Sequence, residues 1–226
     1  MKSLKILLVV PLVCIFVYTC FEIKTALEKI NSNRRRVMEL NRTANDSKFR
    51  VPFVPGGPVL FYEVSTTSRR IVQRIVNQQL VAAFRAGISE LHITSIKLPL
   101  EVQAAHTTYT YINDNDGNEM ETLQNLFEYC VAPPDKKVMY LHSKGSFHMR
   151  GARNGVLRHF LTRGATSPDC VNLPGECHVC SSRFSPFPHP HTPGNMWLAR
   201  CAYVSKLIPP NKFAEAMRAR AKDDPD

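Results

Sequence analysis

The sequence has one tryptophan, no internal repeat, and no second Cys-x2-Cys pair to match Cys177-His178-Val179-Cys180. Without a repeat there is no solenoid or propeller to build. Without the second pair, the strong form of a structural zinc pattern is missing, although a single cluster is not. A basic helix with interleaved aromatic residues is also lacking. That argues against a nucleic-acid-binding module, despite a net charge of +10. Lysine and arginine are absent from residues 101–135, which hold seven Asp/Glu. Residues 140–210 reverse the balance, with eight Lys/Arg and two Asp/Glu. An acidic segment followed by a basic one suits a site that handles a metal, an anion or both. It equally suits two solvated surfaces.

A further absence lies near the N-terminus. Lys2 and Lys5 precede an apolar run over residues 6–21, and no small-x-small cleavage pattern follows it. The run is near the lower limit for a spanning helix, so the reading is an uncleaved signal anchor over residues 1–23. Lys24, Lys29 and Arg34-Arg35-Arg36 on the far side count against a luminal C-terminus. Two glycosylation sequons, at Asn41 and Asn45, count for it. The expected organisation is an anchor, a stem over residues 24–58 and one luminal domain over residues 59–226. The expected setting is a single-pass type II protein of the Golgi or endoplasmic reticulum membrane. In an oxidising lumen some of the five domain cysteines would pair, leaving one free, metal-bound or intermolecular.

At 226 residues and 44% hydrophobic composition, the chain has material for one sizeable core. Residues 59–64 read as a strand. Ile71, Val72, Ile75, Val76, Leu80, Ala83 and Phe84 recur at helical spacing, and Gly87 stands where a helix would end. Residues 91–96 read as a second strand. Strand, helix, strand in that order is the signature of an α/β fold with a mostly parallel sheet. Residues 107–112 form a further strand. An amphipathic helix through Met120, Leu123, Leu126, Phe127 and Cys130 stops before Pro133-Pro134. The strand at 137–142 lacks alternation, which places it centrally and covers both its faces. A helix falls within residues 153–162. About thirty residues without a clear period follow, then a strand at 195–199, a helix at 200–208 and a charged helix near 211–222.

Four tracts carry possible chemistry. His142-Ser143-Lys144-Gly145 follows the central strand, where ligands of open α/β sheets bind. Lys144 offers a point charge for phosphate, Ser143 a hydroxyl, and Gly145 a close backbone approach. Asp114 and Asp116, with Glu119 and Glu121 nearby, could hold Mg²⁺ or Mn²⁺ beside a diphosphate, though Asn-Asp-Asn-Asp-Gly also describes an ordinary turn. Cys170, Cys177, His178 and Cys180 have the makings of a structural Zn²⁺ site or a disulfide, and either would order the long loop. Finally, Gly194-Asn195-Met196-Trp197 could set Asn195 and Trp197 against a sugar, as hydrogen-bonding group and aromatic face.

Val138-Met139-Tyr140-Leu141-His142-Ser143-Lys144-Gly145 resembles the "YLHTKG" segment of a glycosyltransferase family of bacterial polysaccharide clusters and algae. Gly194-Asn195-Met196-Trp197-Leu198-Ala199 resembles its "GNFWWA" segment, and Gly117-Asn118-Glu119-Met120-Glu121-Thr122-Leu123 its acidic helix start. The Cys/His-rich insert is most similar to algal members. The resemblance spans roughly residues 59–210 and implies a Rossmann-like domain of the GT-A type. It implies a nucleotide sugar as donor, a glycan or glycoprotein as acceptor and no nucleic acid. His142, Ser143, Lys144, Gly145, Asn195 and Trp197 then become the donor-binding candidates. Typical GT-A enzymes carry Asp-x-Asp where this chain has His142-Ser143-Lys144. That departure leaves three readings: neutralisation by Lys144 and His142, a displaced metal at Asp114 and Asp116, or a non-catalytic carbohydrate- or anion-binding scaffold. No catalytic residue is assigned.

Overall fold

The computed structural model describes residues 53–65, 68–97, 99–100, 102, 107–112, 119–143, 152–188 and 190–223. The apolar run at 6–21, the stem sequons at Asn41 and Asn45, Asp114, Asp116, Lys144 and Gly145 lie outside them. No helix among the described residues is long and apolar enough to cross a membrane.

Six strands form one sheet: β1 (Val59–Ser65), β2 (Glu90–Ile96), β3 (Thr107–Ile112), β4 (Lys137–His142), β5 (Val179–Ser181) and β6 (Trp197–Arg200). Their order is β3-β2-β1-β4-β6-β5. The pairs β1–β2, β2–β3 and β1–β4 are parallel, whereas β6 runs antiparallel to both β4 and β5. The mixed α/β architecture expected from the sequence is therefore present, with a mostly parallel sheet.

Alternation along the strands divides the core into two layers. Leu60, Tyr62 and Val64 of β1 share one face with Met139 and Leu141 of β4. Against this face packs α1 (Arg69–Arg85), through Val72, Val76, Leu80, Ala83 and Phe84. The helix stops where Gly87 takes φ +75°, a left-handed conformation that costs glycine little, and the Gly87 N–H bonds the Phe84 carbonyl. Val59, Phe61, Val138 and Tyr140 face the other way, onto Leu126 and Cys130 of α2 (Glu119–Val131). Every β1 residue from Val59 to Val64 is buried. Truncating Leu141 to alanine in such a core costs about 2–5 kcal/mol.

Helix α3 (Ala152–Ala165) follows β4, and α4 (Pro168–Val171) begins at Ser167, whose side chain accepts from the Cys170 N–H. Helices α5 (Cys201–Val204) and α6 (Pro210–Asp223) end the fold. Two elements differ from the sequence reading. The helix expected over 200–208 is only the four-residue α5. The segment without period contains α4 and β5, both too short to generate a period.

What orders that segment is covalent and polar. Cys170 is disulfide-bonded to Cys180, with Cα atoms 5.3 Å apart. The Arg200 guanidinium donates to the carbonyls of Leu173 (2.8 Å), Pro174 (3.0 Å) and Cys177 (3.0 Å). A second disulfide, Cys130–Cys201, joins α2 to α5.

Candidate functional site

The strand order reverses direction between β1 and β4: β2 lies on one side of β1, and β4 lies on the other. Chain connections leave such a switch point on opposite faces, which opens a crevice at the carboxyl ends of the two strands. In this protein those ends carry Glu63, Ser65, His142 and Ser143, with Glu63 directly opposite His142 in register.

The Gly194–Trp197 turn folds over this edge. His142 Nε2 lies 2.8 Å from the Gly194 carbonyl oxygen. Since that oxygen only accepts, Nε2 carries the proton in this contact. Gly194 has φ +90°, and a Cβ there would come within 2.3 Å of Leu161 Cδ1. Asn195 follows at φ +49°, a region asparagine tolerates better than most residues. Its Nδ2 donates to Glu119 Oε2 at 3.3 Å, and its Oδ1 accepts from Trp197 Nε1 at 3.0 Å. Trp197 is half-buried, with its ring centroid 5.6 Å from that of Tyr140. The Tyr140 hydroxyl donates to the same Glu119 oxygen at 3.2 Å. Burial first, then the charges of Glu119 and Glu63, push the Tyr140 hydroxyl well above its ordinary range, so it remains a donor.

Glu63 is the unusual member. It is only 5% exposed, inside a strand whose other residues from Val59 to Val64 are apolar or aromatic. Burial, followed by the charges of Glu119 and Glu121, pushes its carboxyl up to about 8.

Beneath the site, on the opposite sheet face, Gln79 fixes the end of β4. Its Oε1 accepts from Tyr62 at 2.7 Å. Its Nε2 donates to Thr162 Oγ1 at 2.9 Å and to the His142 carbonyl at 3.3 Å. This buried network is satisfied at each of its polar ends, which is what rigidifies rather than destabilises a core.

His142, Asn195 and Trp197 thus come together. Ser143 lies at the same edge, but its hydroxyl donates to the Ser65 carbonyl and accepts from the Ser65 N–H, bracing β1 against β4. Of the two readings open for the cysteine-rich segment, the structure has the disulfide. With the Cys170 and Cys180 sulfurs bonded together, a zinc ion would find only Cys177 and His178 of the four expected ligands. Cys177 is exposed, and the His178 ring stacks on Tyr203 at 5.5 Å. No group of three or more His, Cys, Asp or Glu among the described residues is arranged to hold a metal.

Glu63, Tyr140 and Gln79 were not singled out from the sequence. A carboxylate inside an otherwise apolar strand, Phe61-Tyr62-Glu63-Val64, was the available signal for Glu63.

The model of a family described as "Domain of unknown function (DUF8361)" matches residues 61–225. The chain belongs to that family. The match covers β1 from Phe61 onward, and with it every site residue described above. No curated protein and no solved structure matches the chain.

Proposed function

We propose that this chain is a glycosyltransferase of the GT-A type, anchored in a secretory-pathway membrane, that uses a nucleotide sugar as donor and a glycan or glycoprotein as acceptor. The observation that carries this reading is the contact between His142 and Gly194. The two tracts most specific to the resemblance lie 52 residues apart, yet they meet at the switch point of the sheet, where an open α/β fold binds its ligand. Two disulfides fit an oxidising lumen, and with it a Golgi or endoplasmic reticulum setting.

On this reading the departing nucleoside diphosphate sits beyond β4, near His142 and Lys144, whose charge opposes the negative charge that develops on it. Asn195 and Trp197 meet the sugar, as hydrogen-bonding group and ring face. A Mg²⁺ or Mn²⁺ ion held by Asp114 and Asp116 would supply further charge to the diphosphate.

The test is a panel of nucleotide sugars incubated with the full chain in detergent. Hydrolysis or transfer from one donor, lost in Lys144→Ala and in Asn195→Ala, supports the proposal. Absence of binding and turnover with every donor, in a folded protein, removes it.

The use of the Ser143 hydroxyl between β1 and β4 favours a second reading, a carbohydrate- or anion-binding protein without turnover. That reading expects saturable binding of a sugar or nucleotide sugar and no product.

A further inference from the structure

The sheet face that α2 covers is apolar beneath the helix and polar beside it. Leu126 and Cys130 meet Phe61, Val138 and Tyr140 over β1 and β4. Toward the β3 edge the same face carries His92 and Thr94 of β2, with Thr108 and Thr110 of β3 opposite them in register. These residues and one flank of α2 enclose a cavity of about 400 Å³. Small-molecule sites occupy about 300–1,000 Å³, so the size is sufficient. Thr108 and Thr110 are exposed, as are Asn125 and Glu128 on the helix flank, so a ligand reaches the cavity without any opening of the fold.

The cavity has an aromatic side and a polar side. Phe61 and His92 are register partners on β1 and β2, and their rings lie nearly parallel with centroids 4.5 Å apart. The Tyr129 ring stands steeply against both, at 5.5 and 5.9 Å. His92 Nε2 lies 2.7 Å from Glu90 Oε1, which orients the imidazole. The polar side comes from the threonine hydroxyls and from Asn125 and Glu128, which share a helix flank with Tyr129 at i, i+3, i+4 spacing. Gln124 Nε2 donates to Glu128 Oε1 at 2.8 Å and holds that carboxylate in place.

This lining selects a ligand class. No lysine or arginine lines the cavity among the described residues, and Glu128 is acidic, so a phosphate or carboxylate finds no counter-charge there. A wholly apolar ligand would strip water from the hydroxyls, the amide and the carboxylate without replacing their hydrogen bonds. A sugar ring answers both sides. Its C–H face packs on an aromatic ring, and its hydroxyls donate and accept. Threonine and asparagine return both roles, and the carboxylate accepts.

We propose that this cavity binds a neutral saccharide unit of a glycan. Its role as part of the acceptor site rests on the transferase reading. Thr94 lies opposite Glu63 of β1, and Glu63 lies opposite His142 of β4. Two strand spacings, about 10 Å, therefore separate the Thr94 end of the cavity from the crevice where the donor is assigned. A unit held in the cavity presents its neighbour in the same glycan to that crevice. The cavity then selects the acceptor by an inner unit, not by the one that reacts.

The test uses the full chain in a detergent without a sugar headgroup, with no nucleotide present. Saturation-transfer NMR follows the methyl glycosides of glucose, galactose, mannose and N-acetylglucosamine, with tetramethylammonium as a cationic comparison. The variants are Thr110→Arg, which fills the mouth of the cavity, and Asn125→Ala, which removes the amide. Both positions are exposed, and circular dichroism confirms that each variant is folded.

At least one glycoside should bind saturably to wild type. Thr110→Arg should abolish that binding, Asn125→Ala should weaken it about threefold or more, and Lys144→Ala should leave it unchanged. Failure of all four glycosides to bind overturns the proposal, and so does binding of tetramethylammonium alone. Glycoside binding that survives Thr110→Arg and Asn125→Ala but is lost in Lys144→Ala places the sugar at the crevice. That outcome overturns the cavity and leaves the transferase reading intact. Glycoside binding of the expected pattern with no turnover of any nucleotide sugar keeps the saccharide site and overturns its acceptor role.

Discussion

His142 Nε2 and the carbonyl oxygen of Gly194 lie 2.8 Å apart across 52 residues of chain. The bond fixes the start of the Gly194–Trp197 turn to the end of the central strand. It thereby sets the direction in which Asn195 and Trp197 project. The turn depends on a residue without a side chain, since Gly194 combines φ +90° with contact against Leu161.

Gly194→Ala should therefore be damaging twice over. Left-handed backbone strain and displacement of the Leu161 side chain each cost about 1–3 kcal/mol. We expect a lower melting temperature by circular dichroism and a red shift of Trp197 emission. Preservation of both would show that the turn has a different conformation.

Asn195→Leu removes the donor to Glu119 and the acceptor for Trp197 Nε1 while keeping similar bulk. Unfulfilled buried polar groups cost about 1–3 kcal/mol each, so donor affinity should fall by about tenfold or more. Titration calorimetry with the donor identified from the nucleotide-sugar panel checks this. Asn195→Asp should be worse, because it sets a second carboxylate against Glu119.

The raised Glu63 carboxyl makes stability depend on pH. Between 4.5, its ordinary value, and about 8, the folded chain holds a proton that the unfolded chain has released. Stability then falls as pH rises through this window, by up to about 1.4 kcal/mol per pH unit, and levels off above it. Glu63→Gln has no such proton to lose. Its melting temperature should exceed that of wild type at pH 8.5 by more than it does at pH 5. Parallel curves for the two proteins would contradict the assignment.

Reduction of Cys130–Cys201, or Cys201→Ser, releases a closure of 71 residues. A loop of that length contributes about 4 kcal/mol on the chain-entropy view, so unfolding by urea should move to a markedly lower midpoint. Cys170→Ser opens a separation of only 10 residues and should cost less globally while loosening the segment that Arg200 clamps.

Much of the framework is legible in the sequence. The runs at 59–62 and 138–141 are continuous and apolar because both strands are covered on two faces. The heptad-like spacing from Val72 to Phe84 reflects one buried helix face. Helix α4 and β5 were not legible, because elements of four and three residues are too short to show a pattern. They persist through Cys170–Cys180 and Arg200, contacts that local sequence does not encode. The tracts that hold His142, Asn195 and Trp197 stand out in the sequence, and the structure brings them together. The bond between Ser143 and Ser65 was not legible, because the two residues lie 78 positions apart. Glu63 escaped notice because its environment is made by Glu119 and Glu121, on an element that no local pattern connects to β1.

The Cys130–Cys201 bridge also changes the connectivity of the molecule. It closes a covalent ring that includes Tyr140, His142, Ser143, Asn195 and Trp197, with Glu119 on the arm just outside. Cleavage of any single peptide bond within that ring opens it into a longer branched chain without releasing a fragment. In a compartment rich in proteases, a nicked copy would keep both halves of the site physically tethered. It would migrate as one species on a gel until a reductant separated the pieces.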